Sequence, residues 1–191
     1  MSGAAGGPPQ PGGSAQSSEL QAADRSRLLD EARAALKELT TQVRDLREAM
    51  KLFATDFDHD EFVRAFERRR EDANDAARVN QLNWPLSTLI NQVNTVLANG
   101  AVLDGLRRLD QPQKAPEVYE ALRRAGIIDQ QRVTQLTQLN RARNSLTHRY
   151  GLLAEGADIH DATLVAVAIV KSFGQDFGGW LAKTGVLPKP Q

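Results

Sequence analysis

A neutral chain of 191 residues, in which 24 Lys/Arg balance 24 Asp/Glu, is long enough to bury one core and poorly suited to wholesale polyanion binding. The absence of cysteine excludes disulfides, zinc ribbons and thiol nucleophiles together. No stretch reaches the roughly 18 consecutive apolar residues of a membrane span, and the N-terminus lacks the basic flank and apolar run of a signal peptide, so a cytoplasmic protein without membrane contact is the expectation.

Met1 to Ser18 is almost wholly Gly, Pro, Ser, Ala and Gln, which predicts a disordered arm before a single helical domain over residues 19–187. The first helix is expected to start at Ser17 or Ser18, where serine can cap. Its apolar residues Leu29, Ala32, Leu36, Leu39, Val43, Leu46, Met50 and Phe53 step by three and four. That stripe suits a bundle core, or less readily a second chain.

Asp56-Phe57-Asp58-His59-Asp60 breaks the pattern and offers caps for a short helix containing Phe62, Val63 and Phe66. Arg68 to Asp72 reads as an exposed connector. A second long helix is predicted from about Trp84, with Pro85 in its first turn and Leu86, Leu89, Ile90, Val93, Val96 and Leu97 on its apolar face; Gly100 and Gly105 weaken its far end. Pro112 and Pro116 frame a loop before a short helix from Val118 to Ala125, which Gly126 terminates. Asp129 caps the next helix, and a loop from Gly151 to Gly156 leads to a last one over Asp161 to Leu181, whose end Gly174, Gly178 and Gly179 weaken. No alternation of period two is evident, so the class is all-α, an antiparallel up-and-down bundle.

Near the end of the fifth helix stands Arg143-Asn144-Ser145-Leu146-Thr147-His148-Arg149-Tyr150. Its surroundings are locally basic: from Ala101 to Gly151 there are nine Lys/Arg against five acids. Leu136, Leu139, Arg143, Leu146, Tyr150 and Leu153 step by three and four, which puts Arg143 on a stripe expected to be buried, where an arginine needs a partner or a wet cleft. Asn144 and His148, four apart, share the adjoining stripe.

An imidazole can shuttle protons near neutral pH, and a guanidinium can hold phosphate oxygens and offset charge growing in a transition state. RNA carries its own nucleophile, the 2′-OH, so these two groups could cut it without a metal. One histidine is too few for both acid and base, but a two-fold dimer would supply a second His148 and Arg143. A plainer reading gives His148 a favourable place at a helix C-terminus and lets Arg143 bridge to an acid on another helix.

The Arg143 to Tyr150 segment resembles the arginine-x4-histidine-x-tyrosine signature of HEPN ribonuclease toxins of the HepT group, whose motif often has Asn after the Arg and an apolar residue before the His. The preceding short helix, the Gly126 to Asp129 linker and the helix running into the motif are similar to that group's layout. The likeness covers roughly Trp84 to Trp180. The resemblance implies a HEPN-type bundle that acts as a homodimeric, metal-independent endoribonuclease needing no cofactor. Arg143 and His148 would be catalytic and Asn144 an orienting or phosphate contact. It further implies a toxin–antitoxin pair, the partner being a nucleotidyltransferase that attaches AMP to Tyr150 and so fills the phosphate site with a competing anion. The alternative is a non-catalytic HEPN-like adapter that binds nucleotide, RNA or a protein partner through the same cleft.

Other clusters are weaker. Asp56, Asp58, His59 and Asp60 lack the glycine and distal glutamate of a calcium loop and read as helix caps, as do Asp158, His160 and Asp161. Tyr119, Trp84 and Trp180 read as core aromatics.

Overall fold

A computed structural model describes residues 13–54, 56–147 and 155–188, with side chains from residue 22 onward. Among these residues there are six helices and no strand: α1 Gly13–Met50, α2 His59–Arg68, α3 Ala73–Leu103, α4 Ala115–Arg124, α5 Gln130–Thr147 and α6 Gly156–Thr184. The protein is an all-α helical bundle.

Tie points between helices fix their directions. Asn99 Nδ2 donates to the Leu28 carbonyl and Arg78 Nε to the Leu52 carbonyl, so α1 and α3 run antiparallel. Asn94 reaches Asn140 and Arg143 reaches Asn91, which sets α3 antiparallel to α5. Arg132 of α5 meets Ser172 and Asp176 of α6. α1 packs chiefly along α3, burying Ala32, Leu39, Leu46 and Phe53 of the predicted stripe, while Leu29, Leu36, Val43 and Met50 lie partly buried against the same core. The stripe is therefore a bundle element.

Local chemistry sets most helix ends. Asp58 Oδ1 accepts from Glu61 N, Asp72 Oδ1 from Asn74 N and Asp75 N, and Asp129 Oδ1 from Arg132 N, each cap contributing about 1 kcal/mol. Gly126 (φ 71°) and Gly185 (φ 85°) occupy left-handed backbone just beyond α4 and α6.

Several boundaries depart from expectation. α1 begins at Gly13, so Gly13 to Ser18, assigned by composition to the arm, is the start of the helix. α3 begins at Ala73, eleven residues before Trp84, because Asp72 caps it; Pro85 consequently sits in the helix interior. The carbonyl of Gln81 loses its helical donor there, at an exposed residue that water can reach. α6 runs on through Gly174, Gly178 and Gly179 to Thr184, since its buried face, with Ile169, Phe173, Phe177, Trp180 and Leu181, outweighs three glycines.

Two loop features hold the lower end of the bundle. Ala54 (φ 65°) and Phe57 (φ 52°) adopt left-handed backbone unusual for side chains of that kind, in the turn after α1. His160, 6 % exposed, stacks on the Phe57 ring at 4.5 Å and donates from Nε2 to the Phe57 carbonyl at 3.0 Å. It is a core histidine, so the cap assignment fails for it; the residue preceding α6 is Glu155, which makes no side-chain cap bond.

Candidate functional site

The C-terminal half of α5 presents three faces. Leu136, Leu139 and Ala142 are buried, and Leu146 packs partly buried against the core. Arg143 lies on the margin of this line, half-buried, and not within it as the three-four stepping suggests. The reason is on the facing helix, where α3 offers asparagines at the matching positions.

Those asparagines form two rungs. In the inner one, the buried Tyr119 hydroxyl of α4 donates to Asn94 Oδ1, and Asn94 Nδ2 reaches Asn140 Oδ1 at 3.4 Å. Burial raises the Tyr119 pKa far above its usual value, against the opposing pull of the Asn94 contact, so it remains a neutral donor. In the outer rung, Arg143 Nε donates to Asn91 Oδ1 at 2.9 Å and Nη1 to Asn144 Oδ1 at 3.0 Å. The Thr147 hydroxyl bonds back to the Arg143 carbonyl at 2.9 Å.

Two neutral amide oxygens thus orient the guanidinium without cancelling its charge. The other cations of the basic stretch are spent differently. Arg107 and Lys114 pair with Glu117, Arg108 with Asp110, Arg123 and Arg124 with Glu120, and Arg132 with Asp176. Among the described residues, Arg141 and Arg143 are the two cations of this stretch that have no carboxylate within ion-pair distance. Glu117 and Glu120 are each shared by two cations, whereas Arg141 and Arg143, near the end of α5, have no acid beside them.

Arg141 points away from Arg143, two positions and about 200° round the helix. It lines a groove of about 550 Å³ between α5 and the start of α6, with Thr134, Thr137, Gln138, Ser145 and Asp158. Its walls mix these polar groups with the apolar side chains of Val133, Ala142 and Ile159.

Of the sequence-predicted site, Arg143 and Asn144 are brought into direct contact. His148 and Tyr150 lie outside the described residues. Asn91 is the neighbour that sequence reading missed; the available signal was that no Asp, Glu, Lys or Arg occurs between Arg78 and Asp104, although α3 has exposed positions there. Trp84 is a correction as well. It is 75 % exposed on α3, whereas Tyr119 and Trp180 are in the core as expected.

Among the described residues, no three His, Asp or Glu side chains stand together as a metal site requires, and no helix is long and apolar enough to cross a membrane. No family profile, curated protein or solved structure matches this chain.

Proposed function

We propose that the protein is a metal-independent endoribonuclease working as a homodimer, the toxin of a pair whose antitoxin is a nucleotidyltransferase. The observation that carries the reading is the Arg143 guanidinium, oriented by Asn91 and Asn144 and left with its full charge. A structural arginine at a half-buried position would ordinarily find a carboxylate; one held by neutral amides keeps its affinity for a phosphate.

In this scheme His148 takes the proton from a ribose 2′-OH as the 2′-oxygen attacks phosphorus. The bond from phosphorus to the 5′-oxygen breaks, and that oxygen leaves with a proton from the second copy's protonated imidazole. A 2′,3′-cyclic phosphate and a 5′-hydroxyl result, so atoms and protons balance without metal. Arg143 offsets the charge that builds on the non-bridging oxygens. Attachment of AMP to Tyr150 would place a competing phosphate near that guanidinium and silence the enzyme.

The test is RNA cleavage by purified protein in EDTA, with product ends identified by mass. Arg143→Ala and His148→Ala should each abolish cutting while the helical circular dichroism stays native. A requirement for divalent metal, or full activity in His148→Ala, overturns the proposal; retained RNA binding without cutting in the native protein would point to the adapter.

A further inference from the structure

The groove beside Arg141 leaves its polar chemistry unused. Among the described residues, the side chains of Thr137, Gln138, Arg141, Ser145 and Asp158 have no hydrogen-bond or ion-pair partner, although all five line the same space of about 550 Å³. Charged groups nearby are engaged: Arg132 holds Ser172 and Asp176, and Asp129 caps α5. Arg141 and Asp158 stand on opposite walls, one on α5 and one in the first turn of α6, both exposed and too far apart to pair with each other. The apolar part of the lining is Val133, Ala142 and Ile159, the last two buried.

We infer that this groove recognises a guanine base of single-stranded RNA, with Arg141 donating to O6 and N7, Asp158 accepting from N1–H and the N2 amino group, and the apolar side chains lying against the ring. The inference deepens the proposed function and rests on it for setting the base in an RNA strand; the base site itself rests on the groove. A ligand that satisfies both charges needs neighbouring acceptors on one edge and neighbouring donors on another, carried by an apolar body. Guanine alone among the four RNA bases has both. Its O6 and N7 match the two parallel donors of a guanidinium, and its N1–H and N2 amino group match the two oxygens of a carboxylate. Adenine and cytosine present one exocyclic amine, and uracil a single ring N–H. Unstacked RNA bases are read in this manner, by their edges and by contact with their faces. A phosphate is the poorer occupant, because Asp158 shares the groove and repels it. An amino-acid zwitterion would satisfy both charges but leave much of the volume and the apolar lining empty.

The two arginines without a carboxylate then divide the work. Helix residues turn by about 100° each, so round the solvent side of α5 the order is Arg143, Asn144, Arg141, and Asn144 is bonded to Arg143. A strand crossing this face past Asn144 can set a phosphate at Arg143 and a base in the groove. Arg143, held by neutral amides, positions the backbone; Arg141, facing Asp158, reads the sequence.

Calorimetric titration of the full chain with guanosine, inosine, adenosine, cytidine and uridine tests the site without any cleavage. We expect guanosine to bind at least about tenfold more tightly than the other four, inosine included, since it lacks the N2 amino group. Arg141→Ala should weaken guanosine binding at least about tenfold, and Asp158→Ala should remove the preference over inosine; both side chains are exposed, so helical circular dichroism should stay native. Placement in RNA is read with 2′-O-methyl decauridylate, which cannot be cut, and the same decamer carrying one central guanosine. The second should bind more tightly, and Arg141→Ala should erase the difference. No saturable guanosine binding, equal binding of the nucleosides, or native behaviour in both variants overturns the inference. So does guanosine binding with no gain in the decamer, which would assign the groove to a free nucleoside. RNA cleavage on the same samples separates the two claims: a protein that selects guanosine but cuts nothing removes the nuclease and leaves the base site, and one that cuts RNA while ignoring guanosine does the reverse.

Discussion

Asn91 and Arg143 are 52 residues apart in the chain and meet at 2.9 Å, Oδ1 to Nε, across the seam between α3 and α5. The contact gives the guanidinium a direction while leaving its charge uncompensated, which is what a phosphate-facing arginine needs.

Replacing that amide oxygen with a charged one should separate orientation from charge. In Asn91→Asp the geometry persists and the new carboxylate neutralises Arg143. Thermal stability should stay within about 0.5 kcal/mol of native, as for most surface changes. RNA cleavage should fall about 100-fold, the scale on which one transition-state electrostatic contact acts. Cleavage at the native rate would show that Arg143 does not work as a free cation.

The inner rung should behave as structure. Tyr119→Phe removes a hydroxyl that serves Asn94 Oδ1, leaving a part-buried acceptor without its donor. Denaturant unfolding should register a loss of about 1–2 kcal/mol. An unchanged midpoint would mean that water replaces the phenol at no cost.

Glycines in two helices should respond oppositely to the same change. A Cβ at Gly100 would lie 2.5 Å from Trp180 Cη2, and the indole cannot easily retreat, since its Nε1 donates to Asp104 Oδ2 at 3.1 Å. Gly100→Ala should therefore destabilise by about 1–3 kcal/mol despite the better helix former. Gly174, inside α6, has nothing within 4 Å of such a Cβ, so Gly174→Ala should stabilise by up to about 1 kcal/mol. Melting temperatures of the pair read both signs.

Acid should uncover the Glu120 cluster. The hydrogen bond from Arg123, supported by Arg124, pulls the Glu120 carboxyl from 4.5 down to about 2 in the folded protein. A depressed folded pKa contributes stability that is present above the unfolded value and lost as pH falls through the folded one. The native protein should thus lose stability relative to Glu120→Gln between about pH 5 and pH 2, by a small amount because the group is largely solvated. Parallel pH profiles for the two proteins would contradict the coupling.

How much of this was readable beforehand varied with the range of the interaction involved. The three-four stripe of α1, the Asp58 and Asp129 caps and the Gly126 stop are all local, and each appears where the spacing places it. The start of α3 is not local in this way: a proline reads as a first-turn residue, whereas Asp72 caps the helix thirteen residues before Pro85 and burial along α1 carries it past that residue. Periodicity identified Leu136 and Leu139 as buried but placed Arg143 among them, since it cannot tell the centre of a stripe from its margin.

By itself, then, the order of residues determined the helical class, the faces that go inward and the presence of a surplus of arginine before residue 151, because those depend on propensity, period and composition. Only the tertiary structure decided which arginines of that stretch are neutralised, that Asn91 steers Arg143, that His160 is a core group and that Trp84 stands in solvent. Each of those turns on which helix comes to rest beside which, at what rotation, and that is settled by the packing of side chains far apart in the chain.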